Sequence, residues 1–373
     1  MDEKKSIALY KNHIETIFGI KKIDDFSDGE VENAFNVLLQ VLPNNGKLYK
    51  YRSFENNKFE NYYSALKNGY LWFPKADNLN DDFDTVLYFD PVQEAKNIRN
   101  YLLANPRLYF RAIVKYGSKP VKIGFTKLDN DAFHKVIDCY DLDSGELDKN
   151  KAIVLLSQMG IRLDKTIRFL NEVDEFVEKF MRDNEDLLEE TVKNFVNINT
   201  TIRRDSNIYS MSETYKSNPL WAFYANNNQG FCIEYDFNKA KKFDIEKKKL
   251  LLNTYKIIYS DKVDDYSFVK ILQYILTGKQ NNKLYLEANL DLFSQLMTKQ
   301  ADWSFEKEWR IMLCNLEDCK VYLDLVSKII IDERVLNTEE SKQLIDLCKQ
   351  KRWGVLIRKT QYINVAHEFE KLL

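Results

Sequence analysis

Strand-like strings stand on both sides of a long helical stretch, and that order constrains the fold more than any other feature. Lys47-Leu-Tyr-Lys-Tyr-Arg-Ser-Phe54 alternates apolar and polar residues as a half-buried strand does. Residues 55–68 carry a helical pattern closed by Gly69, and Tyr70-Leu-Trp-Phe73 is a second short strand ahead of Pro74. Residues 92–196 are helical and charged, with Phe169, Val173, Phe176, Val177, Phe180 and Met181 at helical spacing, which is one buried helix face. Strand texture returns at 207–212, 230–235, 308–314, 326–331 and 353–359, with helices at 219–226, 266–276, 283–299 and 339–350. No repeat or low-complexity linker separates the halves. The expected fold class is therefore α+β, a mixed sheet core with a large helical insertion. Residues 1–46 would be N-terminal helices, the second opening at Ser27-Asp28-Gly29-Glu30 and closing before Pro43. Residues 47–91 would begin the core, 92–200 form the insertion and 201–373 complete the core, one sheet uniting 47–73 with 206–360.

Hydrophobic residues make up 45% and aromatics 13% of the 373 residues, which excludes a disordered chain. A net charge of −2 provides no global field toward nucleic acid or an anionic membrane, so such contacts must be local. The opening Met1-Asp-Glu-Lys-Lys-Ser-Ile leads into no apolar run long enough for a signal peptide, and no stretch approaches the roughly 20 apolar residues of a membrane span. A cytoplasmic protein is expected, without a membrane partner. Five cysteines form no C-x-x-C pair, and three scattered histidines make zinc sites and His-based catalysis poor candidates. Chemistry here must rest on carboxylates, Arg and hydroxyls.

Four strings carry such groups. Arg52 lies in an aromatic strand of a chain with 42 Lys and 13 Arg, a place for a planar, bidentate donor or for an edge-strand ion pair. After Leu71-Trp72-Phe73-Pro74 come Asn78-Leu79-Asn80-Asp81-Asp82-Phe83-Asp84, either oxygen ligands for a hard cation or turn residues satisfying backbone donors. In a strand Ser210 and Ser212 face one side, ahead of Trp221 and Tyr224. Lastly, Glu306, Glu308 and Arg310 share one strand face and Phe305, Trp309 and Ile311 the other, either a cation-bridged carboxylate pair or a surface ladder.

Together with Gly230-Phe-Cys-Ile-Glu-Tyr-Asp236, Lys299 and Trp303-x-x-Glu-Lys-Glu-Trp-Arg310, these strings resemble a widespread prokaryotic domain family of unknown function over about residues 47–360, with Asp82 where Pro is expected. The order Arg52, Ser210-x-Ser212, Glu306-x-Glu308 is also similar to the Arg, Ser-x-Ser, Glu-x-Glu layout of ADP-ribosyltransferases, with Ser-Met-Ser in place of Ser-Thr-Ser and a long insert. That second resemblance implies NAD as a substrate without a metal, and a toxin or phage-defence effector that modifies nucleic acid or protein. Glu308 would stabilise the sugar cation, Glu306 handle the acceptor, and Arg52 hold phosphate or ribose. Ser210 and Ser212 would brace the pocket, with Tyr51, Trp72, Trp221 and Tyr224 around the rings of NAD. The alternatives are a Mg²⁺-dependent nuclease on Asp82, Asp84 and Glu308 with Arg310, and a noncatalytic interaction module.

Overall fold

The structure, a computed structural model, describes residues 13–14, 23–79, 81, 83–116, 135–141, 146–262, 265–277, 282–361 and 366–373. Two compact units make up the chain: Met1–Val86 with Thr201–Val263 and Phe293–Leu373, and Leu87–Thr200 with Asp264–Leu292.

The described strands are β1 (Lys47–Ser53), β2 (Leu71–Trp72), β3 (Ser206–Ser212), β4 (Gly230–Asp236), β5 (Thr254–Lys256), β6 (Ile258–Tyr259), β7 (Thr298–Lys299), β8 (Glu308–Cys314), β9 (Lys320–Val321), β10 (Val326–Asp332), β11 (Gly354–Gln361) and β12 (Ala366–Lys371). All belong to the first unit. Eight form one mixed sheet in the order β12-β11-β10-β4-β1-β3-β8-β5, parallel only between β10 and β11. Early and late segments therefore meet in one sheet, since β1 sits between β4 and β3. β2 departs from expectation: it pairs with β9 outside the large sheet. β5 and β12 were not legible as strands; three polar-rich residues and the charged string Ala-His-Glu-Phe-Glu-Lys carry little apolar alternation.

Local chemistry explains the helix ends. Ser27 and Glu30 form a reciprocal capping box at the start of Asp28–Val41, and Gly69 closes Asn56–Asn68 in the left-handed region at φ 71°. Helix Asn218–Tyr224 packs Trp221 against Tyr51 on one sheet face, whereas Asn56–Asn68 brings Phe59 onto Phe231 on the other. β1 and β4 pair over seven residues, and Gly230 is required at the end of that ladder because a Cβ there would meet the Arg52 carbonyl oxygen at 2.2 Å.

In the second unit, Val177 is buried among Phe110, Ile137, Leu156 and Leu170, with Phe176, Phe180 and Met181 packed around it. The Phe169 and Val173 side chains of the same stripe lie outside the described residues. Residues 264–292, expected within the second half of the core, belong to this helical unit instead. Phe268 N–H donates to Glu94 (2.7 Å) and its ring meets Phe89 and Phe195, contacts across many residues that periodicity does not encode. No described helix is long and apolar enough to cross a membrane.

Candidate functional site

β1 and β3 are neighbours, yet they share a single pairing, Tyr49 with Ser212. Farther along, β3 turns its hydrogen bonds to another partner: Ile208 N–H donates to the Pro74 carbonyl (2.9 Å) and Asn207 bridges to Lys75. The strands thus part, leaving a slit whose far end is closed by the stretch that follows β2. A cavity of about 350 Å³ occupies it, within the size range of small-molecule sites.

One guanidinium organises the slit. Arg310 is 1% exposed and uses its whole fork: Nε and Nη2 donate to Glu308 (2.7 and 3.0 Å), and Nη1 and Nη2 to the two Asp84 oxygens (both 2.6 Å). Nη1 also reaches Thr85 Oγ1 at 3.1 Å. Lys299 donates to Glu306 (2.7 Å), stands 3.5 Å from both Asp84 and Glu308, and lies 4.7 Å from the Trp303 ring centroid. Three carboxylates are thus gathered around two buried cations.

The two glutamates respond in opposite directions. Burial pushes the Glu308 carboxyl up, but the Arg310 guanidinium outweighs it, joined by Lys299 and the Ser210 hydroxyl, and holds Glu308 at about 2. Burial raises Glu306, and the Glu308 charge raises it further against the pull of Lys299 and the Tyr224 hydroxyl, which donates at 2.5 Å. Of the two, Glu308 is the more readily ionised and Glu306 the better proton acceptor.

β8 begins at Glu308, so the expected strand over Glu306 is corrected. Glu306 ends the 3₁₀ turn Ala301–Glu306, and Lys307 in the left-handed region (φ 45°) swings it into the slit. The backbone is tied there by Ser212 Oγ, which donates to the Glu306 carbonyl at 2.7 Å.

Arg52, Tyr51, Ser210, Ser212, Tyr224, Glu306 and Glu308 all line this cavity. The two expected tryptophans do not. Trp221 is fully buried, its Nε1 held by the Tyr215 carbonyl (2.8 Å) and its ring edge-on to Tyr51, so it is a core residue. Trp72 is 49% exposed and lines a second cavity. For the cation reading, Asp82 and Asn80 lie outside the described residues, and Asp84 and Glu308 are both paired with the Arg310 guanidinium, whose Nη2 they share. Among the described residues no three His, Cys, Asp or Glu side chains are grouped as metal ligands.

Sequence reasoning passed over Lys50 and Lys299 as site residues. Lys50 lines the slit, donates to the Ser210 carbonyl and lies 4.2 Å from the Tyr209 ring centroid. Burial, aided by Arg52 and Arg310, lowers its proton affinity far below that of an ordinary lysine. The signal available was its place two residues before Arg52, on the same face of β1. Lys299 appears in the sequence only as part of the motif string before Trp303, and its pairing with Glu306 is found by the tertiary fold.

Residues 220–311 match the family described as Protein of unknown function (DUF2971). The DUF2971 match takes in Tyr224, Lys299, Glu306, Glu308 and Arg310, while Arg52, Asp84 and Ser210 lie outside it. It agrees with the resemblance of the motif strings to a family of unknown function. No curated protein and no solved structure matches the chain.

Proposed function

We propose that the slit is the active site of an NAD-consuming, ADP-ribosyltransferase-type enzyme. The observation that carries this reading is that Arg52, Ser210 and Glu308, from three strands far apart in the chain, line one 350 Å³ cavity. Breaking the bond between ribose C1′ and the nicotinamide nitrogen sends the electron pair to nicotinamide and leaves positive charge on the sugar. A carboxylate that stays ionised stabilises that charge where it develops. Glu308 suits this role, because Arg310 and Lys299 favour its ionised form at the wall of the cavity.

Nicotinamide leaves as a neutral amide, so the site needs no general acid. The acceptor nucleophile then forms the new bond to C1′ and its proton passes to Glu306, whose environment favours proton uptake. The lowered proton affinity of Lys50 fits the same chemistry, since disfavouring its positive charge lessens repulsion of a sugar cation. Arg52 would hold phosphate oxygens, with Tyr51 and Tyr224 flanking the ring. The acceptor is a nucleic acid or a protein.

Incubating the protein with NAD and following free nicotinamide tests the reading. Release that persists in EDTA is expected. No release above the spontaneous rate, with water or a macromolecular acceptor, would remove it.

A further inference from the structure

A larger cavity, about 580 Å³, lies on the sheet face covered by helix Asn56–Asn68, and its chemistry is opposite to that of the slit. Its described lining contains Arg52, Lys58 and Lys320 and no carboxylate. Five aromatic side chains complete it: Tyr62, Tyr70, Trp72, Tyr209 and Tyr235. Arg52 is the one residue shared by the described linings of both cavities.

The arrangement has a flat apolar part and an anion-attracting part side by side. Strand alternation in β2 turns Leu71 inward at 3% exposure and leaves Trp72 half exposed at the cavity. Core packing does not account for a tryptophan there. Directly opposite Trp72 in the β2–β9 register stands Lys320, so an indole face and an ammonium group are neighbours on one surface. The Lys320 Nζ lies 5.7 Å from the Tyr70 ring, which in turn meets Tyr322 edge-on. Deeper, the Arg52 guanidinium lies 4.6 Å from the Tyr62 ring centroid, a planar fork stacked on an aromatic face. Lys58 is already paired with Glu55 at 2.8 Å and adds less. The floor is the hydroxyl pair Tyr209–Tyr235, at 2.5 Å.

Aromatic faces stack on any base, and a fork with an ammonium group binds phosphate oxygens. We infer that this cavity binds a nucleoside phosphate, the base against Trp72 and Tyr70 and the phosphate between Lys320 and Arg52. The ligand is either a free nucleotide or the phosphorylated end of a single-stranded nucleic acid; the recognition chemistry is common to both. Arg52 lines both cavities, so the two readings share that residue, but the binding measurement below requires no NAD turnover in the slit.

The test is titration of the full chain, by calorimetry and tryptophan fluorescence, with AMP, adenosine, inorganic phosphate and a 5′-phosphorylated single-stranded oligonucleotide. Saturable AMP binding with Kd below about 1 mM is expected. Adenosine and phosphate alone should each bind at least about tenfold more weakly, because each lacks one half of the recognition. Trp72→Ala and Lys320→Glu should each weaken AMP at least about tenfold, and Lys58→Glu less. All three side chains are at the surface, so far-UV circular dichroism should be unchanged. An oligonucleotide that binds more tightly than AMP identifies the nucleic-acid source, and one that binds no better identifies the free nucleotide. Absence of saturable binding by either ligand, or binding that Trp72→Ala and Lys320→Glu leave unaltered, overturns the assignment.

Discussion

Two arginines of the large sheet, Arg310 on β8 and Arg358 on β11, are equally buried at 1% exposure, yet their surroundings differ. Arg310 faces two carboxylates of its own, with Lys299 and Glu306 beside them and a cavity in front. Arg358 faces one, Asp332 at 2.5 Å, which it shares with Arg334. Its Nη1 also donates to Asn228 and its Nη2 meets Asn218 and His367, while its guanidinium lies 4.7 Å from the Trp221 ring centroid. Carboxylates raise the proton affinity of Arg310 against the effect of burial, whereas burial prevails at Arg358 and lowers it. Burial of a charge is thus not what marks a site in this protein. The mark is a cluster of three carboxylates, Asp84, Glu306 and Glu308, held by Arg310 and Lys299 at the wall of a cavity where a ligand can meet them.

Removing the guanidiniums gives the largest contrast. Arg310→Leu leaves Asp84 and Glu308 buried beside a single remaining cation and should cost about 3–5 kcal/mol in urea unfolding. Arg358→Leu should cost less, because Asp332 keeps both hydrogen bonds from Arg334. Equal losses would break the comparison.

A second contrast lies within the slit. Glu308→Gln removes the fixed charge and should lower NAD consumption by about 10²–10³. Glu306→Gln should leave hydrolysis by water largely intact while transfer to an acceptor falls. Equal and small effects in a protein shown to consume NAD would make this strand scaffold.

The smallest effect is on acid stability. Glu308 titrates near 2 when folded against an ordinary 4.5, so its contribution is complete above pH 4.5 and is lost as pH falls toward 2. Glu306 is raised and acts in the opposite sense, favouring the folded state as it takes up a proton. Urea midpoints measured across that window should fall more steeply in the unmodified protein than in Glu308→Gln. Parallel slopes would mean that Arg310 does not hold Glu308 ionised.

Local chemistry made the elements legible. Ser27 with Glu30 marked a helix start, Gly69 a helix end, and the alternation from Lys47 to Ser53 a strand, because capping and pleat depend on residues within one turn or one strand. Alternation also placed Arg52, Ser210 and Glu308 on strands that could meet. It did not carry Glu306, which reaches the slit through the left-handed turn at Lys307. Nor did an aromatic string reveal that Trp221 is core and Trp72 half exposed, since burial depends on which helix packs over which face.

By itself, the sequence determined the α+β class, the helical stretch between the two halves of the sheet, and the dependence on carboxylates and Arg in a chain with three histidines. Tertiary structure alone decided that β1 and β3 part after one pairing, that Asp84 and Lys299 converge on Glu306 and Glu308, and that residues 264–292 pack with the helical unit. The reason is physical. Periodicity reports on neighbours within an element, whereas proton affinities and cavities are set by side chains brought together from distant segments, and their spacing in the chain carries no trace of that approach.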